Sequence, residues 1–597
     1  MESRIKKKAM LYGVLAILLV AFVAAFAFRF GLYDPRTGPL PPSPAIQSTL
    51  LTTFNSHEAL RDFLASNTGT TGPYPFFGPE DINALDTLTK ATLREQWGLS
   101  DYSTTNIQVT GVDEADIVKT DGEYLYVLSS GSLLIVKAYP PEVAEVVTNM
   151  TFDDLYPIGI FVKGDRLTVL GSKYVVPTFL DRMYGLYVVD IKTFVRIYDI
   201  QDKANPVLLR NLMLTGSYFN SRMIDDYLYF VVSQPAYIIY DTVVLPKIYQ
   251  NDILVKEIAP SEIHYHNGTD NYYQYTTFVA MNMQDTTETP TFVTVMMGGT
   301  SNMYVSQNNM YVTFPEVNGT TTIYRMRIQA SNITVKAKGQ VIGNVLNQFS
   351  MDEHDGYFRI ATSTWIDGDP RSNLFIMDMD LIEVGKLLDI EVGETLDSAR
   401  FVADRCYLST SVVRRDPFFV IDVEDVTTPK ILGYLKIPGF NRYLHPYDEN
   451  HVIGLGRDEF NNVKISFFNV TNVSAPKLIS EHRFEGAWSD TPALWDHHAF
   501  LFAYTKDLLA LPVSINQYSF DRYTTKQGFF VFNITLINGL VLKGNITHQE
   551  LATEDWDTRP HVRRGLYIAN VLYTVSDAKI KLNDLENLTL LKEIPLD

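Results

Sequence analysis

The chain has 597 residues, 46% hydrophobic and 20% charged, with a formal net charge of −19. That balance is globular and supplies apolar side chains for a sizeable core, while the acidity excludes a chain that wraps nucleic acid, which needs clustered Lys and Arg. The 35 Tyr and 34 Phe lean toward pleated sheet.

In chain order, Arg4, Lys6, Lys7 and Lys8 form a basic tail over residues 1–8, and an uncharged apolar run follows from Ala9 to Phe28. Twenty helical residues span roughly 30 Å, one bilayer core. The basic flank predicts a single-pass signal anchor with a cytoplasmic N-terminus and the bulk of the chain outside. A cleaved signal peptide is the competing reading, because Ala25-Phe26-Ala27 resembles a cleavage site. The run is longer than the usual ~7–15-residue signal core, which favours the anchor. Residues 29–50 include GLYDPRTGPLPPSP, an extended, semi-rigid stalk. Residues 51–100 read as a helical collar. Its first helix covers Ser56 to Ser66, with Ser56 as cap and Ala59, Leu60, Phe63 and Leu64 on one face; its second lies around Thr87 to Trp97.

From residue 101 to the C-terminus the pattern changes to period two. One unit recurs: a short apolar strand, a turn of Asp, Gly or Asn, an aromatic strand, then two more strands. The turns fall at Asp121-Gly122, Gly164-Asp165, Asp225-Asp226, Asn308-Asn309, Asp355-Gly356, Asp404-Arg405, Asp448 to Asn450, Asp496 to His498, and Asn570. The second half of the unit repeats as well, with Pro206, Pro429 and Pro476 before a strand and Gly216, Gly439 and Gly486 after it. Four strands at a period of ~40–50 residues predict an all-β propeller of eight or nine four-stranded blades. Longer intervals carry insertions, chiefly Gln234 to Tyr275 and Leu511 to Lys526. A strand near Asn106 to Val109 is a candidate to complete the last blade.

The stretch TTNIQVTGVDEADIVKTDGEYLYV, from Thr104 to Val127, resembles the signature of a family of secreted or membrane-anchored prokaryotic β-propeller proteins distantly related to WD repeats. LNQFSMDEHDGYFRIATS, SARFVADRCYLSTS and ALWDHHAFLF fit the same pattern. The resemblance implies the propeller and export. It implies no activity and no catalytic residues.

Four sets of residues are candidates for chemistry. Lys119, Arg222, Arg400 and His445 share one slot of the first strand of their units, the strand that lines a propeller's channel, and would bind an anion or pair with carboxylates. His354, Asp448, His451, Asp496, His497 and His498 lie in or beside hairpin turns and would suit a divalent cation if the fold joined them. The acidic run Asp113, Glu114, Asp116 and Asp121 tempts a calcium reading, although its spacing is not that of an EF-hand. Sequons at Asn149, Asn267, Asn318, Asn332, Asn469, Asn472, Asn533, Asn545 and Asn587 are candidate glycosylation sites on an exported surface. The single Cys406 permits no intramolecular disulfide and reads as a small buried hydrophobe.

No P-loop, dinucleotide fingerprint or nucleophile elbow is present. The expected function is an anchored exterior module that binds a protein, peptide or glycan. The alternative is a cell-surface enzyme, a metal-assisted hydrolase or lyase, working at the channel mouth.

Overall fold

The computed structural model describes residues 51–67, 101–175, 190–239, 241–266, 273–316, 318–411, 415–519, 522–549 and 561–596. The expected tail, anchor, stalk and second collar helix lie outside them, as does Asn267. Among the described residues no helix is long and apolar enough to cross a membrane.

Nine sheets of four or more strands occur among the described residues, each antiparallel at its heart, and all but the second and third in chain order draw their strands from one continuous stretch of chain. Numbered as blades, they cover residues 118–151, 156–215, 217–297, 302–342, 351–390, 395–438, 440–483, 488–546 and 562–595. Nine hydrophobic clusters join each blade to the next, and the last joins blade 9 back to blade 1. The ring is therefore closed by side chains. The seams are mainly aliphatic, with aromatic pairs set among them, such as Tyr311 stacked on Phe358 at 4.2 Å and Phe418 on Phe468 at 4.6 Å.

Burial follows from this sandwiching. The second strand of blade 1, Tyr124–Ser129, has neighbours on both faces and is buried almost throughout, whereas the outermost strand, Glu145–Thr151, is largely solvated. The repeated loops have a common physical cause. Asp202, Asp425 and Asn472 each accept from the backbone N–H two residues on, and their own carbonyls accept three residues on. These local bonds set the turn before Pro206, Pro429 and Pro476. Gly216 and Gly439 then cross to the next blade with φ of 112° and 91°, where a Cβ would meet the carbonyls of Ser233 and Arg457.

Three features depart from the expected repeat. The insertion between Gln234 and Tyr275 contributes Lys247–Gln250 and Ile253–Glu257 to the outer edge of blade 2. The helix forms at His57–Asn67, with Ser56 Oγ accepting from Ala59 N at 3.0 Å. Its Leu60 and Leu64 enter the cluster between blades 2 and 3, and Thr52–Thr53 pairs with Ile263–Tyr265 of blade 3. Residues 106–109 add no strand to blade 9, contrary to expectation. Only the bridge between Tyr102 and Ile568 touches that blade's ladder, and the chain then turns inward.

Candidate channel site

Segment 102–116 crosses the centre of the ring. Ser103 N donates to Tyr567 O of blade 9 at 2.9 Å. Asn106 Nδ2 donates to the carbonyls of His497 and Phe500 in blade 8. Gln108 Nε2 donates to Gln348 O beside blade 5, and Gln307 of blade 4 reaches Thr110 O. Val112–Glu114 pairs with Ser217–Ile224, the first strand of blade 3, and Asp116 bridges Ile160 in the first strand of blade 2. The first strands thus face the channel, and this segment plugs it. The signature stretch is the plug together with the opening of blade 1.

The plug accounts for two of the candidate sets at once. Lys119 Nζ donates to Asp113 Oδ1 and to the Glu114 carbonyl, both at 2.6 Å. Arg222 lies 3.4 Å from Glu114 Oε2 and donates to Asn220, Ser221 O and Gln348. Lys119 and Arg222 thus face Asp113 and Glu114 of the acidic run, while Asp121 keeps the turn role, accepting from Glu123 N and Tyr124 N. Arg400 is fully buried with its guanidinium 5.7 Å from the Phe349 ring. His445 Nδ1 is 2.7 Å from the Tyr443 hydroxyl. Burial, then the nearby Arg400 charge, hold His445 well below the ordinary histidine range, so it is neutral. The slot is a set of paired or enclosed groups and not an open ring of cations.

The expected histidine set divides among three places. His354 sits at the blade 5–6 rim, 3.6 Å from both Asp355 and Asp404. His451 stays within its own hairpin, 2.8 Å from Asp448. Asp496, His497 and His498 go to the channel, because blade 8 departs from the expected turn. Its inner strand is split into Trp488–Asp490 and Leu501–Ala503, and the hairpin turn falls at Tyr504–Lys506 instead of Asp496 to His498. Two 3₁₀ turns fill the break, Pro492–Leu494 capped by Thr491 and His497–Ala499 capped by Asp496. The caps satisfy backbone groups that an unbroken strand would have paired, and the break turns both imidazoles toward the plug.

There His498 Nε2 is 3.7 Å and His497 Nε2 is 3.9 Å from Glu114 Oε2. One ligand atom from each of Glu114, His497 and His498 lies within 4.8 Å of the others. His498 Nδ1 is 2.9 Å from Asp496 Oδ1. Arg564 in turn joins Asp496 to Asp116. Burial would raise the Asp496 carboxyl, but Arg564 and His498 outweigh it and keep it below the usual carboxylate range. His497 donates from Nε2 to Asn106 O at 3.0 Å, and burial together with the surrounding cations keeps it neutral. The sequence offered no signal for Glu114 as the partner of this pair.

Beside the plug is a cavity of about 420 Å³, lined among others by Tyr102, Asp113, Lys119, His445, His498 and Phe500. Cys406 lies elsewhere, fully buried, and burial pushes its thiol up to about 12, which makes it inert.

The sequence profile of the family described as "Beta propeller domain" matches residues 102–588. An uncharacterised protein of Methanocaldococcus jannaschii is 26% identical, the alignment covering 91% of this chain and 92% of that one. One of Archaeoglobus fulgidus is also 26% identical, with 96% and 97% covered. Among solved structures, a prolyl endopeptidase matches at 12% identity and a TM-score of 0.31, covering 70% of this chain and 53% of that chain.

Proposed function

The chain belongs to the β-propeller domain family, and from that premise we propose that it is an anchored, extracytoplasmic binding module that takes the end of a glycan or peptide at its channel mouth. The observation that carries this reading is the cavity of about 420 Å³. That size accepts one or two residues of a chain and no folded partner. Tyr102, Phe500, Phe502, Tyr504 and Tyr567 contribute aromatic groups to its lining, and Thr105, Thr110, Asp113 and Lys119 supply donors and acceptors. Such a mixture suits a sugar, whose C–H faces pack on rings while its hydroxyls take polar partners. On this reading the apolar run from Ala9 to Phe28 holds the ring at the cell surface.

The test is a binding titration of the full chain in detergent against a panel of oligosaccharides and short peptides, with Tyr504→Ala as the variant. Tyr504 lines the cavity and is 36% exposed. We expect a ligand of micromolar to millimolar affinity that adds about 2.7 kcal/mol to stability at one hundred times its dissociation constant. Tyr504→Ala should weaken it at least tenfold. A panel without a binder, or a binder indifferent to Tyr504→Ala, would remove the channel mouth as the recognition site. The metal-assisted enzyme remains a second reading solely because Glu114, His497 and His498 converge.

A further inference from the structure

We propose that Glu114, His497 and His498 hold a first-row divalent transition metal ion, zinc or a similar ion, between the plug and blade 8. This goes beyond the glycan or peptide reading and stands independently of it.

The first argument is convergence. Three groups from two distant parts of the chain bring one ligand atom each within 4.8 Å of the others. Two imidazoles and a carboxylate are a donor set for zinc or iron, whereas calcium and magnesium prefer oxygen alone. With metal–ligand bonds of about 2.0–2.2 Å, tetrahedral ligand atoms stand roughly 3.3–3.6 Å apart. The separations of 3.7 and 3.9 Å to Glu114 Oε2 are a few tenths wider, within the reach of side-chain adjustment.

The second argument is what His498 lacks. Its Nε2 is buried with no hydrogen-bond partner and lies 3.7 Å from the Glu114 carboxylate. A buried, orphaned nitrogen aimed at a carboxylate calls for an explanation, and an ion between the two supplies one.

The third argument is the outer layer. Asp496 accepts from His498 Nδ1, which fixes the tautomer with Nε2 bare, and Arg564 steadies Asp496. A carboxylate behind a histidine is the usual support of a metal ligand. Glu114 is oriented by Gln108 N, which donates to its other oxygen at 3.0 Å. Arg222 also neighbours Glu114, but it keeps Asn220, Ser221 O and Gln348 as partners when an ion takes the carboxylate. The Asn106 carbonyl now holds His497 Nε2. Ligation through that nitrogen requires the Asn106 bond to break and the proton to move to Nδ1.

The experiment uses the full chain, stripped with a chelator and titrated with Co²⁺, whose visible absorption reports nitrogen and oxygen ligation, followed by displacement with Zn²⁺. We expect one Co²⁺ per chain, displaced by Zn²⁺ and not by Ca²⁺ or Mg²⁺. His498→Gln and Glu114→Gln should each weaken binding at least tenfold, and Asp496→Asn ten- to a hundredfold. His354→Ala/His451→Ala, which removes histidines outside the channel, should bind as wild type. Near-ultraviolet circular dichroism identifies any channel variant that fails to fold, and the wild-type and His354→Ala/His451→Ala titrations then decide alone. The proposal is overturned if wild type binds no stoichiometric Co²⁺, if folded His498→Gln binds like wild type, or if His354→Ala/His451→Ala abolishes binding.

Discussion

Asp397 is a carboxyl whose surroundings set a measurable pH dependence. Burial, together with nearby Glu394, raises it to about 6 against the opposing pull of Ser411 and Arg442. A folded-state value above the unfolded one means that the native state holds the proton more tightly. The stabilising contribution is therefore complete below about pH 4 and is lost as pH rises through about 6. Asp397→Asn keeps the neutral form at every pH. The variant should be more stable than wild type by roughly 1–3 kcal/mol at pH 7.5 and no different at pH 4, read from urea unfolding at both. Equal differences at the two pH values would show that the effect is steric and not electrostatic. At this scale the sequence was legible in kind and not in pairing. Lys119 and Arg222 stood out as a repeated slot and Asp113 and Glu114 as an acidic run, yet nothing in either pattern says that they face each other. That meeting depends on the plug crossing the channel, and period-two reading carries no information about where a loop goes.

Blade elements were legible wherever a turn residue has one physical role. Gly122 and Gly356 take positive φ of 95° and 78° in their hairpins, and Asp225 and Asp355 do so at 50° and 48°, as turns of these types require. Blade 8 was misread because Asp-His-His looks like a hairpin turn, while the capping by Thr491 and Asp496 that makes it a break inside a strand is visible only with the backbone bonds in hand. The helix His57–Asn67 shows the same limit. Its amphipathic face was plain, but the surface that face covers was not, and it proves to be the seam between blades 2 and 3. The placement makes unequal demands on neighbouring residues. Leu60 is fully buried, so Leu60→Ala should cost about 2–5 kcal/mol. Arg61 makes only solvent-exposed ion pairs with Glu58, Asp62 and Asp241, so Arg61→Ala should leave stability close to wild type. A helix standing off the ring would leave both variants near wild type in denaturant unfolding.

At the scale of the whole molecule, the decisive property is how the ring closes. Every strand of blade 1 comes from residues 118–151 and every strand of blade 9 from residues 562–595, so no blade mixes strands from the two ends of the repeat. Eight seams join blades that the backbone also connects directly, and the ninth rests on side chains with a few hydrogen bonds. Tyr573 is central to it, fully buried in the closing cluster, with its hydroxyl donating to Ala138 O of blade 1 at 2.8 Å. Stability in repeat architectures is a sum of unit and interface contributions, so an opening starts where an interface lacks covalent backing. Tyr573→Ala and Phe468→Ala both remove a fully buried aromatic ring from a seam, and each should cost about 3–5 kcal/mol globally. They should differ in where the loss appears. Native-state hydrogen exchange of Tyr573→Ala should accelerate first in blades 1 and 9, ahead of global unfolding, while Phe468→Ala should speed exchange across the ring without favouring blades 6 and 7. If both variants open only at their own seams and to the same extent, the ring is a set of independent interfaces and closure adds no cooperativity. If the two differ as expected, the closing seam is where the ring first yields, and a ligand or ion that ties the plug to blades 8 and 9 would stabilise the molecule from its centre.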